Sequence, residues 1–111
     1  MSRACLVLCS FADAQQAQAA GEVLVAERLA ACVSVLPQMQ SIYRWQGEVQ
    51  CSAEALAIIK TSMQVWPTLH QRLRQLHAYE VPEVLAIEPV AIDPDYERWL
   101  MGQVGPEVPQ A

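Results

Sequence analysis

The stretch from residue 32 to 47 constrains the fold of this chain more than any other part of the sequence. Its first five residues are apolar but for one serine, which is typical of a β-strand covered on both faces. Pro37 then removes a backbone donor, and sheets tolerate a proline only at an edge, a strand start or a bulge. The sequence therefore predicts a strand that kinks at Pro37, resumes at Ser41 and turns back at Gln46 and Gly47.

Three further apolar runs predict strands, at residues 4–11, 53–60 and 83–90. In the first run, alternation places the side chains of Cys5, Val7, Cys9 and Phe11 on one face.

Three segments with helical spacing lie between and after the strands. Asp13, with Gln16 three residues later, predicts an N-cap for the first. Pro67 fits the first turn of the second, which ends near His77, and Asp93 caps the third. In the first helix, Ala19, Val23, Ala26 and Ala30 repeat at helical spacing beside Ala20 and Leu24. The side chains predicted to face inward in the other two are Val65, Leu69, Leu73 and Leu76, then Tyr96, Trp99 and Leu100.

This order of elements predicts an α+β, ferredoxin-like βαββαβ sandwich with an extra C-terminal helix. A chain of 111 residues favours one domain, here residues 1–104. Residues 105–111 carry two prolines and little hydrophobicity, which predicts a disordered tail. Helices on one face leave the other sheet face bare, and a second copy of the chain is the simplest cover for it.

Composition narrows the class of partner. A formal charge of −5, with a single lysine, provides no basic stripe for nucleic acid. No apolar run is long enough to span a bilayer. Four cysteines without a C-x-x-C pair predict a reduced, cytoplasmic protein. The first residues superficially mimic a secretory signal ending at Ala14, but cleavage there would delete the first strand.

Several short segments match one family. They are residues 8–10, 27–36, 43–47, 59–61, 77–79 and 81–83, with Asp95, Tyr96, Trp99 and Leu100. Together they resemble the divalent-cation-tolerance (CutA) family over about residues 4–104. The resemblance implies a homotrimer packed sheet to sheet, similar in fold to the PII signalling proteins.

The resemblance also implies a metal site. Copper binding in that family is attributed to a cysteine corresponding to Cys9 and to adjacent histidines, of which this chain keeps His77 and has Leu76 at the neighbouring position. Thiolate and imidazole suit copper or zinc. Two structural alternatives stay open. Cys9 is also a natural buried core residue, and His77 a natural helix C-terminal residue.

The remaining candidate side chains are weaker. Tyr43, Trp45, Lys60 and Tyr79 are candidates for a binding cleft or, alternatively, for subunit packing. Glu80 and Glu83 flank Pro82, with nothing in the sequence to indicate that they act as a catalytic pair. The solvated surface of the second helix is predicted to include His70, Arg72 and Arg74, and Asp93 is predicted to cap the third helix.

The resemblance, together with Cys9 and His77, implies a non-enzymatic homotrimer that binds copper or another divalent metal ion and takes part in the response to metals. The alternative is a PII-like small-molecule sensor or protein-docking scaffold, although the chain has no glycine-rich phosphate loop. An acylphosphatase shares the ferredoxin-like plan but needs an asparagine, and this sequence contains none.

Overall fold

The computed structural model describes residues 3–106. It contains four strands and three helices, in the order β1 (Ala4–Phe11), α1 (Ala14–Ala26), β2 (Cys32–Trp45), β3 (Glu48–Ser62), α2 (Trp66–Leu76), β4 (Val84–Ile87) and α3 (Pro94–Gln103). The strands form one sheet in the order β2-β3-β1-β4, and every neighbouring pair is antiparallel. The predicted α+β, ferredoxin-like order with a C-terminal helix is confirmed.

The core lies between one sheet face and the first two helices. Alternation along β1 buries Cys5, Val7, Cys9 and Phe11 on that face, as predicted. Across the sheet they meet Ala55, Ala57 and Ile59 of β3, and Leu24, Leu69 and Leu73 cover them from α1 and α2.

The spacing predicted for α1 is right in part. The buried residues are Ala17, Ala20, Gly21 and Leu24, which confirms Ala20 and Leu24. Ala30 is also buried, whereas Ala19 and Ala26 are exposed. The helix ends at Ala26, and Arg28 has a φ of 61°, which turns the chain before Ala30 enters the core.

The helix caps are confirmed where a short polar side chain was predicted to supply them. Asp13 accepts from the backbone N–H of Gln16 at 2.8 Å, and Asp93 accepts from that of Tyr96 at 3.0 Å. Helix α2 has Pro67 in its first turn, as predicted, and ends with His77 as its C-cap. In α3 only Leu100 is buried. The inward orientation predicted for Tyr96 and Trp99 was wrong, since they are 40% and 46% exposed and pack on each other.

Residues 39–54 form what we call the hairpin arm. The register of β2 and β3 shifts between Leu36 and Met39, which confirms the predicted irregularity at Pro37, although β2 continues through it. Beyond this point no other strand of residues 3–106 pairs with either side, because β1 ends opposite Ala55. Both turn residues have positive φ, 51° at Gln46 and 82° at Gly47, as a two-residue hairpin turn requires.

Both faces of the hairpin arm are exposed, with Ile42 73% accessible on one and Trp45 53% accessible on the other. The hairpin arm makes the molecule elongated, with a length of 57 Å along its longest axis and 27 and 22 Å along the other two. It also explains why β3 is longer than the predicted 53–60. Strand β4, by contrast, is shorter than the predicted 83–90.

The sheet face opposite the helices is the open face. Leu36, Leu85 and Ile87 are exposed on it, and Leu6, Leu8, Leu56 and Ile58 are half-buried. The prediction that the helices leave one sheet face of the chain bare is confirmed, and a second copy as its cover stays a prediction.

The segment after α3 returns to the turn that follows α1. The backbone N–H of Gly105 donates to the carbonyl oxygen of Arg28 at 2.9 Å, and Nε of Arg28 donates to that of Gly105 at 2.7 Å. Nη2 of Arg28 also donates to the carbonyl oxygen of Gly102 at 3.0 Å. From residue 107 onward, the predicted tail of residues 105–111 lies outside the described residues.

Candidate functional site

Cys9 lies in the interior of the sheet, paired with Ala57 on one side and Val84 on the other. Its side chain is fully buried. Burial, and to a smaller extent the negative charge of Glu83, raises the pKa of the Cys9 thiol to about 12. The thiol is therefore protonated at neutral pH, and binding a metal requires it to lose that proton.

His77 is held by both nitrogens of its ring. Nε2 lies 2.6 Å from the carbonyl oxygen of Ser10, and Nδ1 accepts from the backbone N–H of Tyr79 at 3.0 Å. A carbonyl only accepts and an N–H only donates, so the proton sits on Nε2 and the lone pair on Nδ1. The ring also stacks on Phe11, with centroids 4.5 Å apart. His77 therefore ties the end of α2 to the end of β1.

The contact with Ser10 brings the His77 ring next to the residue that follows Cys9. The chemistry of a thiol and an imidazole fits copper or zinc. Within residues 3–106, however, no three His, Cys, Asp or Glu side chains form a group able to hold a metal ion. Both ring nitrogens of His77 are engaged, so the two residues of one chain do not make a complete site.

Tyr79 extends this constellation toward the hairpin arm. Its ring centroid lies 4.8 Å from that of His77, and its hydroxyl donates to Oε2 of Glu54 at 2.8 Å. Burial, followed by the bond to the Glu54 carboxylate, raises the pKa of Tyr79 to about 12. A cavity of about 380 Å³ adjoins Glu54, lined also by Asp13 and by residues 37–40 at the β2 irregularity. The sequence did not indicate Glu54 or the carbonyl of Ser10, since both contacts join residues far apart in the chain.

The four residues predicted as a cleft or as packing residues do not form one cleft in a single chain. Tyr79 contacts Glu54, and Tyr43 shares a 2.8 Å hydrogen bond with Ser52 in the hairpin arm. Trp45 is exposed at the tip of that arm. Lys60 lies six residues along β3 from Glu54, roughly 20 Å in a strand, and points to the open face.

Two of the residues predicted as solvated surface have contacts of their own. Arg72 makes two 2.9 Å hydrogen bonds to the Glu27 carboxylate, which join α2 to the end of α1. The pKa of Glu27 is lowered by these bonds. His70 is exposed, as predicted, and stacks on Trp66 with a centroid separation of 4.9 Å.

None of the helices among the described residues is long and apolar enough to cross a membrane. The four cysteines are all free thiols.

Comparison with known proteins gives one consistent result. A family model described as CutA1 divalent ion tolerance protein matches residues 5–103. The divalent-cation tolerance protein CutA of Thermus thermophilus is 40% identical over 100 residues, which cover 90% of this chain and 97% of that protein.

Solved structures agree with the sequence match. A divalent cation tolerance protein from Thermus thermophilus superposes with a TM-score of 0.89 at 39% identity, covering 92% of this chain and 99% of that one. CutA from Xylella fastidiosa superposes with a TM-score of 0.89 at 36% identity, covering 94% and 100%.

Proposed function

This chain belongs to the CutA1 divalent ion tolerance family, and from that premise we propose that it is a non-enzymatic homotrimer that binds copper or another divalent cation in the cytoplasm. The family model matches nearly the whole chain, over residues 5–103. The ion, the residues that hold it and the number of subunits are the proposal.

One observation supports the metal assignment more than any other. The 2.6 Å hydrogen bond from His77 to the Ser10 carbonyl keeps an imidazole beside the strand residue next to Cys9. Nδ1 can bind a metal only if it releases the Tyr79 N–H, because its lone pair accepts that hydrogen bond. Two further donors must then come from water or another subunit, because four ligands complete a typical site.

The trimer is supported by exposed apolar surface on two parts of the molecule. The open face presents Leu36, Leu85 and Ile87, and the hairpin arm presents Ile42 and Val49. Surfaces of this kind mark contacts with other proteins, and a further copy of the chain is always available at matching concentration. The reducing cytoplasm is supported by four free thiols.

The absence of a catalytic role is proposed because the family takes its name from ion tolerance rather than from a reaction. The alternative function is a PII-like sensor or a docking scaffold. The exposed hairpin arm favours the scaffold version, since Tyr43 and Trp45 are side chains that binding interfaces favour.

Native mass spectrometry with zinc or copper tests the proposal, because it reports subunit number and bound metal together. Zinc is measured in parallel with copper because zinc has no redox chemistry. We expect a trimer that takes up about one metal per subunit and loses it in Cys9→Ala and in His77→Ala.

Matched controls separate ligation from folding. Cys5→Ala removes a buried thiol from the same face of β1, and His70→Ala removes the other imidazole of the chain. Both are expected to keep the metal. A metal-free trimer in every sample contradicts the metal assignment and leaves the scaffold alternative, and metal loss in Cys5→Ala contradicts the choice of Cys9.

A further inference from the structure

Tyr79 contacts the His77 ring and the base of the hairpin arm at the same time. Its backbone N–H donates to Nδ1 of His77 at 3.0 Å, and its hydroxyl donates to Oε2 of Glu54 at 2.8 Å. The neighbours Ala78 and Glu80 are exposed, whereas Tyr79 is half-buried. Tyr79 is therefore held through both its backbone and its side chain, between two residues that face water.

The hydrogen bond to Nδ1 occupies the atom that the proposed metal site needs. An imidazole nitrogen without a proton has one lone pair, which either accepts a hydrogen bond or binds a metal ion. In His77 the proton is on Nε2, which donates to the carbonyl oxygen of Ser10, so Nδ1 carries the lone pair. The N–H of Tyr79 therefore competes with a metal ion for the same lone pair.

We propose that Tyr79 is an autoinhibitory residue of the metal site, held in its blocking position by the contact with Glu54. The inference rests on the site at Cys9 and His77 proposed above and adds how that site is regulated. When Nδ1 of His77 is taken by a metal, the N–H of Tyr79 loses its acceptor. Because a half-buried N–H without a partner costs free energy, Tyr79 is then expected to move toward water.

The contact with Glu54 opposes that movement. A hydrogen bond to a carboxylate is stronger than one between neutral groups, and this one joins two half-buried side chains. The other side-chain hydrogen bonds found in the hairpin arm among the described residues join arm residues to one another, namely Tyr43 to Ser52, Arg44 to Gly47 and Cys51 to Gln40. Opening of the metal site is therefore coupled to release of the base of the arm, and each change favours the other.

The two effects expected of Glu54 have opposite signs. By charge alone, its carboxylate attracts a cation, so removing it should weaken metal binding. As the anchor of Tyr79, the same carboxylate keeps the site blocked, so removing it should tighten metal binding. The direction of the change in affinity distinguishes these two roles.

The test compares the zinc affinity of the unaltered protein with that of four variants, by competition with a chromophoric chelator. We expect Tyr79→Phe and Glu54→Ala to bind zinc about tenfold more tightly, because each removes a hydrogen bond that favours the blocked arrangement. Glu54→Gln keeps an acceptor for the Tyr79 hydroxyl and should change the affinity much less. Tyr43→Phe removes an exposed hydroxyl from the hairpin arm and is the matched control, with no change expected.

Amide hydrogen exchange gives a second readout. Zinc should speed exchange at the Tyr79 amide of the unaltered protein, because His77 no longer accepts from it. The amide of Gln16, which donates to the Asp13 side chain at the start of α1, should exchange at the same rate with and without zinc.

Four results would overturn the inference. Equal zinc affinity in the unaltered protein and in Tyr79→Phe would show that Tyr79 does not restrict the site, and the proposed metal function would stand. Weaker binding in Glu54→Ala would show that Glu54 attracts or holds the metal instead. A Tyr79 amide whose exchange zinc leaves unchanged would show that the metal does not displace it. Failure of every protein to bind zinc would overturn the metal assignment together with the inference.

Discussion

The hydroxyl of Tyr79 donates to the Glu54 carboxylate at 2.8 Å, and this contact joins the segment after α2 to the base of the hairpin arm. The same segment is held to β1 through His77, whose ring lies 4.8 Å from that of Tyr79. Two neighbouring side chains thus connect a helix end to two different strands. Substitutions at either residue are therefore expected to affect the packing of these strands against the end of α2.

Tyr79 is expected to titrate later than an ordinary tyrosine, near pH 12 instead of 10. Because its pKa is raised in the folded state, the stability that this group contributes is complete below pH 10 and is lost as the pH rises toward 12. An ultraviolet titration of phenolate absorbance measures this. The late transition should vanish in Tyr79→Phe, and its persistence there would assign it to another tyrosine.

Tyr79→Phe should lower the free energy of unfolding by about 1 to 2 kcal/mol, because Glu54 loses a half-buried hydrogen-bond donor. Urea unfolding at a fixed protein concentration measures this. Tyr43→Phe, which removes an exposed hydrogen bond of equal length to Ser52, is the matched control and should cost less. Equal losses would indicate that the Glu54 contact is no stronger than a surface bond.

His77→Ala should destabilise the fold by about 3 kcal/mol, since it removes two hydrogen bonds and a ring stacked on Phe11. His70→Ala, which removes a ring stacked on Trp66 at the surface, should cost well under half of that. Thermal unfolding of the metal-free proteins compares them. A near-neutral His77→Ala would show that the contacts with Ser10 and Tyr79 contribute little.

The four thiols should divide into two classes. Cys51 is exposed and Cys32 half-buried, whereas Cys5 and Cys9 are buried and the pKa of each is raised mainly by burial. Iodoacetamide at neutral pH should therefore modify Cys5 and Cys9 only after unfolding, whereas the labelling of Cys51 and Cys32 in the native protein depends on which surfaces the subunits cover. Peptide mapping reads this out, and rapid native labelling of Cys9 would contradict its burial.

Gly21 and Val33 should be energetically coupled. A Cβ added at Gly21 meets Cγ1 of Val33 at 3.1 Å, tighter than ordinary contact, while a helical Gly→Ala change otherwise stabilises by about 1 kcal/mol. Gly21→Ala should therefore be less favourable, by about 1 kcal/mol, in the unaltered protein than in a Val33→Gly background, since Val33→Ala would keep the Val33 Cβ that the added group meets at 3.2 Å. Urea unfolding of the four proteins in this cycle measures the coupling, and additive effects would contradict it.

The sequence predicted correctly those parts of the fold that depend on residues close together in the chain. Asp13 and Asp93 cap helices through bonds three residues away, and the turn at Gln46 and Gly47 needs only the residues beside it. For the alanine-rich α1 the same approach succeeded only in part: Ala20 and Leu24 are buried as the spacing indicated, but Ala19 and Ala26 are exposed, because alanine fits either side of a helix. Strand β3 was predicted too short since polar residues line the hairpin arm, where no core selects apolar ones.

The candidate site was harder to predict than the fold. The backbone carbonyl of Ser10, which holds His77, has no side-chain identity to detect. Glu54 meets Tyr79 from 25 positions away, and only the packed structure brings them together. Lys60 and Cys32 are opposite each other because of strand register, which the bulge after Leu36 does not disturb.

The two outer strands of the sheet are unlike each other, since β2 spans fourteen residues and β4 four. Copies that join edge to edge through β2 and β4 therefore meet head to tail, and such contacts end either in a closed ring or in an open fibre. The copies form a closed ring if repeating the rotation between neighbours returns to the first copy, and an open fibre if it does not. In a closed ring the part of β2 that β4 is too short to pair with faces a neighbouring copy. The ring leaves no free strand edge on which further copies can add, so its closure protects the protein from aggregation.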